Sequence, residues 1–255
     1  MVRIPEIIEI AGGSFSMGST TAQVRKCVAE WADHLLKPEY SQRFEDWIKK
    51  EYPAHKRTVG SFSIGRFPVT NAEYAQFVNA TGTSACQSLL EDPVDDHPAW
   101  GMDLSECLAY AIWLSNVVSM PFRLPTEAEW EWAAKGPDGW EFPFGDTFDC
   151  CKCNTFEGGQ GGTTPVTKYA SWASAFGVCD MAGNVEEWTL SYYAPYPGGA
   201  VVEDDLWLIS GGKPYPILRG GSFALGGDLA RSARRHGPHP GERFRYRGFR
   251  LVLAY

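Results

Sequence analysis

The residues of this 255-residue chain whose types could do chemistry are few and scattered. Three of its seven cysteines fall in Cys150-Cys-Lys-Cys153. Thiolates are soft metal ligands, but a closed zinc site needs four and usually takes them from two Cys-x-x-Cys pairs, so zinc, a disulfide and free thiols all stay open. His236 and His239 are spaced to chelate, with no third ligand at hand. His34 on a predicted helix, and His55 and His97 beside prolines, read as structural. A harder donor set lies in Gly183-Asn-Val-Glu-Glu187, which offers an amide oxygen at Asn184, a carbonyl at Val185 and a carboxylate at Glu187, the oxygens calcium prefers. Ser222 follows two glycines, but Gly220-Gly-Ser-Phe223 lacks the second glycine of a nucleophile elbow, and no His–acid pair is spaced to serve it. Gly158-Gly-Gln-Gly-Gly162 sits in a loop-rich region and reads as a turn, not a phosphate cradle.

These residues must be positioned by short elements. Ile7 to Met17 runs strand, glycine turn, strand, a hairpin signal. Residues 20–52 form a polar, partly helical stretch, with Val24, Val28, Trp31, Leu35, Phe44, Trp47 and Ile48 at rough helical spacing, and read as an insertion packed on the outside. Arg57 to Phe67 alternates as a strand. Three helix starts follow, Thr70-Asn-Ala-Glu73, Asp103-Leu-Ser-Glu106 and Thr126-Glu-Ala-Glu129, each with an oxygen-bearing side chain three residues before a glutamate. Gly82 and Gly136 are natural stops for the first and third helices. From Gly139 to Tyr215 glycine and proline recur and apolar runs are short, the composition of long loops.

Composition sets the bounds. With 44% hydrophobic residues the chain can bury one sizeable core, and a single domain over 1–255 is expected. Net charge is −8, unevenly spread: residues 217–255 hold eight Arg and no Lys against Asp228 and Glu242, which makes that end +6 and residues 1–216 −14. The Arg-rich end suits either an anionic partner or a set of guanidinium groups stitching loops together. The first ten residues carry charges where a signal peptide needs an apolar run, and no run of 18 apolar residues occurs. The expectation is a cytoplasmic protein by default, with export by another route left open and neither membrane nor nucleic acid as partner.

Five blocks then acquire a joint meaning: Gly13-Ser-Phe-Ser-Met-Gly18, Pro68-Val-Thr-Asn-Ala-Glu-Tyr74, Phe122-Arg-Leu-Pro-Thr-Glu-Ala-Glu-Trp-Glu131, Asp180-Met-Ala-Gly-Asn-Val-Glu-Glu-Trp188 and Leu218-Arg-Gly-Gly-Ser-Phe223. In this order, over nearly the whole chain, they resemble the formylglycine-generating-enzyme and sulfatase-modifying-factor family. The resemblance implies an α+β C-type lectin-like fold, loop-rich, with short antiparallel strands and a few capped helices, and a structural calcium at positions matching Asn184, Val185 and Glu187. A second calcium position of relatives matches Asn154, but its partner aspartate has no counterpart here. The family's oxidation of a sulfatase cysteine uses copper and two cysteines, three and eight residues after the serine of the Gly-Gly-Ser block. This chain has Leu225 and Ala230 there, and neither can supply a thiolate, so copper is not expected. Relatives that form sulfoxides from histidine betaine carry iron on a His-rich domain with no counterpart among five histidines, so iron is not expected either.

The segment 218–251 also resembles the variable proteins of diversity-generating retroelements, in which error-prone copying of template adenines rewrites asparagine codons near the end of the gene. Setting the framework aside leaves Ala224, Leu225, Gly226, Leu229, Arg234, His236, Pro238, His239, Phe244, Arg245 and Tyr246. All eleven are residue types such codons can reach, whereas Glu242 is not. The resemblance implies a scaffold of Arg231, Arg235, Arg243 and Arg250 that holds a rigid backbone while these neighbours point outward on a shallow face to bind a macromolecular ligand. The alternative is an enzyme of the family with chemistry that uses no cysteine, which would require a cleft lined by titratable groups.

Overall fold

The computed structural model describes residues 2–238 and 246–254. Strands β1 (Ile7–Ile10) and β2 (Gly13–Met17) open the chain. They do not pair with each other as the hairpin signal suggested. Both run antiparallel to β3 (His55–Val59) and β4 (Phe62–Gly65), with Ile10 opposite Phe62 and Gly13 opposite Val59. The physical reason is Gly12, whose missing side chain lets the backbone of Gly60 pass: a Cβ there would lie 2.7 Å from the Gly60 carbonyl carbon. The glycines therefore bend one long strand instead of reversing it.

Between them, α1 (Thr21–Trp31) and α2 (Ser41–Lys49) occupy the 20–52 region. Thr20 and Gln23 form a capping box on α1 that the sequence reading overlooked. Val24, Trp31, Phe44 and Ile48 turn inward and share a cluster with Phe142, Ala182 and Ala230, so this stretch is part of a core and not an external appendage.

The three other capping boxes form as expected. Thr70 caps α3 (Asn71–Thr81), Asp103 caps α5 (Leu104–Val118) and Thr126 caps α6 (Glu127–Lys135), each with its glutamate reaching back; α4 (Gln87–Glu91) lies between the first two. Gly82 and Gly136 end α3 and α6. Helices α3 and α5 meet in an aromatic core of Tyr74, Phe77, Tyr110 and Phe249, while Trp130 of α6 packs on the other side of the sheet.

Strand β5 (Phe122–Arg123) pairs with the last strand, β9 (Val252–Leu253), giving a four-stranded sheet in the order β1-β4-β9-β5. The loop-rich stretch still supplies β6 (Glu186–Tyr192) and α7 (Asp205–Ile209). With β7 (Pro216–Arg219) and β8 (Arg247–Gly248) it forms a second sheet, β7-β6-β8, that carries both ends of the C-terminal segment. Among the described residues no helix is long and apolar enough to cross a membrane.

Candidate functional site

Buried arginines fix the C-terminal segment. Burying a guanidinium is costly unless its donors are met by carboxylates and carbonyls, and among Arg219, Arg231, Arg235 and Arg250 only Arg219 Nε lacks a partner. Arg250 donates to Glu187 at 2.6 and 2.7 Å and to the Gly65 and Cys179 carbonyls. Arg219 reaches Glu131 at 2.9 Å, Glu127 at 3.1 Å and the Ser232 carbonyl. Arg235 makes a fork of two 3.0 Å bonds to Glu127 and lies 4.2 Å over the Tyr196 ring. Arg231 forks onto Glu51 at 2.8 and 2.9 Å and also bonds Glu141. All four are essentially fully buried. Arg243, the remaining expected scaffold arginine, lies outside the described residues.

Between these anchors runs a cleft of about 330 Å³. Seven of the eleven candidate positions line it: Ala224, Leu225, Gly226, Leu229, Arg234, His236 and Tyr246. Pro238 is half-buried and does not line it, and His239, Phe244 and Arg245 lie outside the described residues. The expectation of an outward, shallow face is corrected: none of the eight described positions is exposed. The cause is the opposite wall, where Leu35, Leu36, Tyr40 and Trp47 of the 20–52 region and Asp204 to Leu206 rise around the segment. Arg234 is 3% exposed and donates to the Trp47 and Arg235 carbonyls, so it belongs with the scaffold. Gly226 is buried too, and a Cβ on it would meet the Asp228 carboxylate at 3.0 Å.

The cleft holds titratable groups that the sequence reading did not select. Glu186, buried on β6, sits 2.6 Å from His236 Nδ1, and His236 is held by backbone bonds with Leu218 in both directions. Successive strand residues face opposite ways, so Glu187 turns to Arg250 while Glu186 turns to the cleft. That alternation was the available signal. Lys50 Nζ donates to Asp204 at 2.5 Å, with both side chains 2% exposed; burial outweighs the aspartate and brings the lysine down to about 8. Burial pushes Asp228 up to about 6, against the pull of Arg234, whose Nε is 3.9 Å away, and of Arg231. Leu225 lines the cleft and Ala230 is buried beneath it, so the two positions that bear cysteines in copper-using relatives bring no thiol here.

The expected calcium set does not fit. Both Glu187 oxygens are taken by Arg250, and one of them also accepts from Trp130 Nε1 at 2.8 Å. The Asn184 amide is fully engaged, accepting from Asn154 and from the Thr164 N–H and donating to the Thr164 carbonyl and Asp180. Val185 is buried between them. Oxygens without a hydrogen-bond partner do surround that amide, namely Asn154 Oδ1, Thr164 Oγ1 and Asp180 Oδ1, and these are what a hard cation would find. Burial pushes the Asp180 carboxyl up to about 7.

The remaining candidates are placed plainly. His34 and His55 meet the Glu30 and Pro53 carbonyls, and His97 meets the Thr163 hydroxyl, so none converges on another. All seven cysteines are free thiols, five of them buried. Ser222 is fully buried in the turn after β7.

Comparison with known proteins agrees with the motif order. The model of the sulfatase-modifying factor enzyme 1-like domain matches residues 1–255. The hercynine oxygenase of Mycolicibacterium thermoresistibile is 31% identical over 80% of this chain and 53% of its own length. A longer relative, the serine/threonine-protein kinase Pkn1 of Chlamydia trachomatis, is 30% identical over 98% of this chain, which spans 38% of it. Among solved structures, PvdO from Pseudomonas aeruginosa superposes with a TM-score of 0.72 at 25% identity, covering 98% of this chain and 95% of that one. Variable protein 1 of Treponema denticola superposes with a TM-score of 0.70 at 19% identity, covering 97% and 94%, a likeness of fold. With its α+β, C-type lectin-like architecture and a domain model matched from end to end, the chain belongs to the sulfatase-modifying-factor (formylglycine-generating-enzyme) family.

Proposed function

We propose that this chain is a ligand-binding member of the family, whose C-terminal segment recognises a projecting polar group of a macromolecular partner inside the cleft. One observation carries the reading: seven candidate positions, chosen from sequence alone, converge on one concavity. A volume of about 330 Å³ is at the low end for a small-molecule site. It accommodates a single side chain, chain terminus or compact substituent better than a flat interface. The apolar wall of Leu225, Leu229 and Tyr40 supplies desolvation, and the polar groups of Glu186, His236, Lys50 and Asp204 supply orientation.

Filling the cleft tests this. Wild type and Ala224→Trp are compared by thermal shift against free amino acids, short peptides, carboxylates and phosphate esters. A ligand at a hundredfold excess over its Kd stabilises by about 2.7 kcal/mol, roughly 5–10 °C for a domain of this size. The reading requires at least one compound that stabilises wild type and leaves Ala224→Trp unmoved. It fails if no compound stabilises wild type, or if the effect survives in the variant.

A second reading rests on the Glu186–His236 contact. A buried carboxylate 2.6 Å from an imidazole at the floor of a cleft is the arrangement of a general acid–base pair. If the protein is an enzyme, His236→Gln abolishes turnover while ligand-induced stabilisation persists.

A further inference from the structure

We propose that Asp149, Cys150 and Cys151 form a surface site for a thiophilic metal ion, with zinc as the physiological class and cadmium as its spectroscopic stand-in. The site is separate from the cleft. One carboxylate oxygen and the two sulfur atoms all lie within 4.8 Å of one another, and this is the one such convergence of three metal-capable side chains among the described residues. A tetrahedral zinc with bonds of about 2.3 Å holds its ligand atoms roughly 3.8 Å apart, so closure requires shifts of about 1 Å in side chains that are half-buried or exposed.

Two features favour metal over a disulfide. Neighbouring residues joined by a trans peptide have Cα atoms about 3.8 Å apart. Ordinary disulfides need roughly 4.4–6.8 Å, so a Cys150–Cys151 bridge would be strained. Cys153 does not compete, because it is 2% exposed and its thiol is turned to the Asp149 carbonyl. Charge also closes: two thiolates and a carboxylate with a divalent ion leave −1, and Lys152 stands 3.6 Å from the Asp149 carboxylate, its ammonium held 4.6 Å from the Trp172 ring centre. Three protein ligands leave the fourth position for water, the pattern of an open site. Metal binding releases the two thiol protons and changes no oxidation state.

The site has a structural consequence. Phe148, next to Asp149, packs edge-on against Trp31 at 5.1 Å and lies where a Cβ on Gly227 would be, 2.5 Å away. A metal at 149–151 would therefore pin the loop that supports one end of the cleft.

The test titrates reduced, chelator-stripped protein with cadmium and follows the ultraviolet thiolate-to-metal charge-transfer band, with zinc competition giving the zinc affinity. One equivalent bound through two thiolates is expected. Cys150→Ser and Cys151→Ser should each weaken binding at least tenfold, Asp149→Ala several-fold, and Cys153→Ala less than twofold. The proposal is overturned if no band develops, if the Cys150→Ser/Cys151→Ser double variant binds as wild type does, or if the reduced protein re-oxidises in air to a Cys150–Cys151 disulfide faster than it takes up zinc.

Discussion

Replacing Glu51 by glutamine tests whether buried arginines hold the cleft rigid. Glu51 is fully buried at the end of the 20–52 region, and Arg231 lies 180 residues later, so their two bonds of 2.8 and 2.9 Å tie the cleft's opposing walls together. The amide keeps the shape of the carboxylate but loses its charge and one acceptor, leaving a guanidinium buried with Glu141 alone. Breaking a buried pair costs about 3–5 kcal/mol, and the surviving Glu141 contact puts the expectation near the lower bound, about 3 kcal/mol. Against a total stability of about 5–15 kcal/mol the variant stays folded, with Tm lowered by roughly 6–12 °C. Urea unfolding gives the free energy, and a cycle with Arg231→Met isolates the coupling. The double variant should recover part of the loss, because the buried guanidinium is gone and the charge left without its partner, Glu141, has a side chain 15% exposed to water. A loss below about 1 kcal/mol, or one abolished by salt, would mean the pair behaves as an exposed ion pair and would refute the rigid-scaffold argument.

Four further outcomes follow from the structure. Asp228 binds its proton more tightly folded than unfolded, so its contribution is full below its ordinary value of 3.8 and is lost as pH rises through about 6; Asp228→Asn should remove, in denaturation curves from pH 4 to 7, a decline on the order of 3 kcal/mol. Gly183→Ala should cost well over 3 kcal/mol, because φ is +81° and the new Cβ would lie 2.1 Å from the Asn154 carbonyl oxygen, whereas Gly82→Ala, at φ +69° in open space, should cost only about 1–2 kcal/mol by the same unfolding assay. Thr126→Ala removes the α6 cap and should lower stability by about 1 kcal/mol, with the α6 amides exchanging faster. Any rise in Tm that calcium produces should vanish in Asp180→Asn, and a rise that survives would return Glu187 to the ligand set.

What the sequence disclosed depended on whether the physical signal was local. Capping boxes are spaced three residues apart, so Thr70, Asp103 and Thr126 could be read directly and all three form. The bend at Gly12 could not, because what makes it a bend is Gly60 passing 48 residues away, and a glycine between two apolar runs looks the same in a reversal. The cleft was half legible. Its floor was found as a set of positions between framework arginines, but its depth comes from Tyr40, Trp47 and Asp204, which no spacing rule connects to residue 225. Glu186 was hidden by its neighbour, since two adjacent glutamates read as one acidic motif until the strand sends them to opposite faces.

The C-terminal pattern has a purely physical origin. Arg219, Arg231, Arg235 and Arg250 each satisfy carboxylates or carbonyls from helices and loops far away in the chain, and a change at any of them strands a buried charge. A position between them is open where its side chain holds no buried charge in place and is not sealed in. Ala224, Leu225 and Leu229 meet both conditions, being half-buried and facing the cleft, whereas His236 is the partner of buried Glu186 at 2.6 Å. Arg234 and Gly226 do not, since one donates to the Trp47 carbonyl and the other is buried where a Cβ would crowd the Asp228 carboxylate at 3.0 Å. Freedom to vary and access to a ligand thus follow from one cause, the spacing of the buried guanidinium groups. Substituting the three open positions together, to other apolar or polar side chains of similar size, should shift Tm by only a few degrees. The same exercise at Arg234 and Gly226 should cost several times more, and equal costs at both sets would show that the arginine frame does not define the open positions of the cleft.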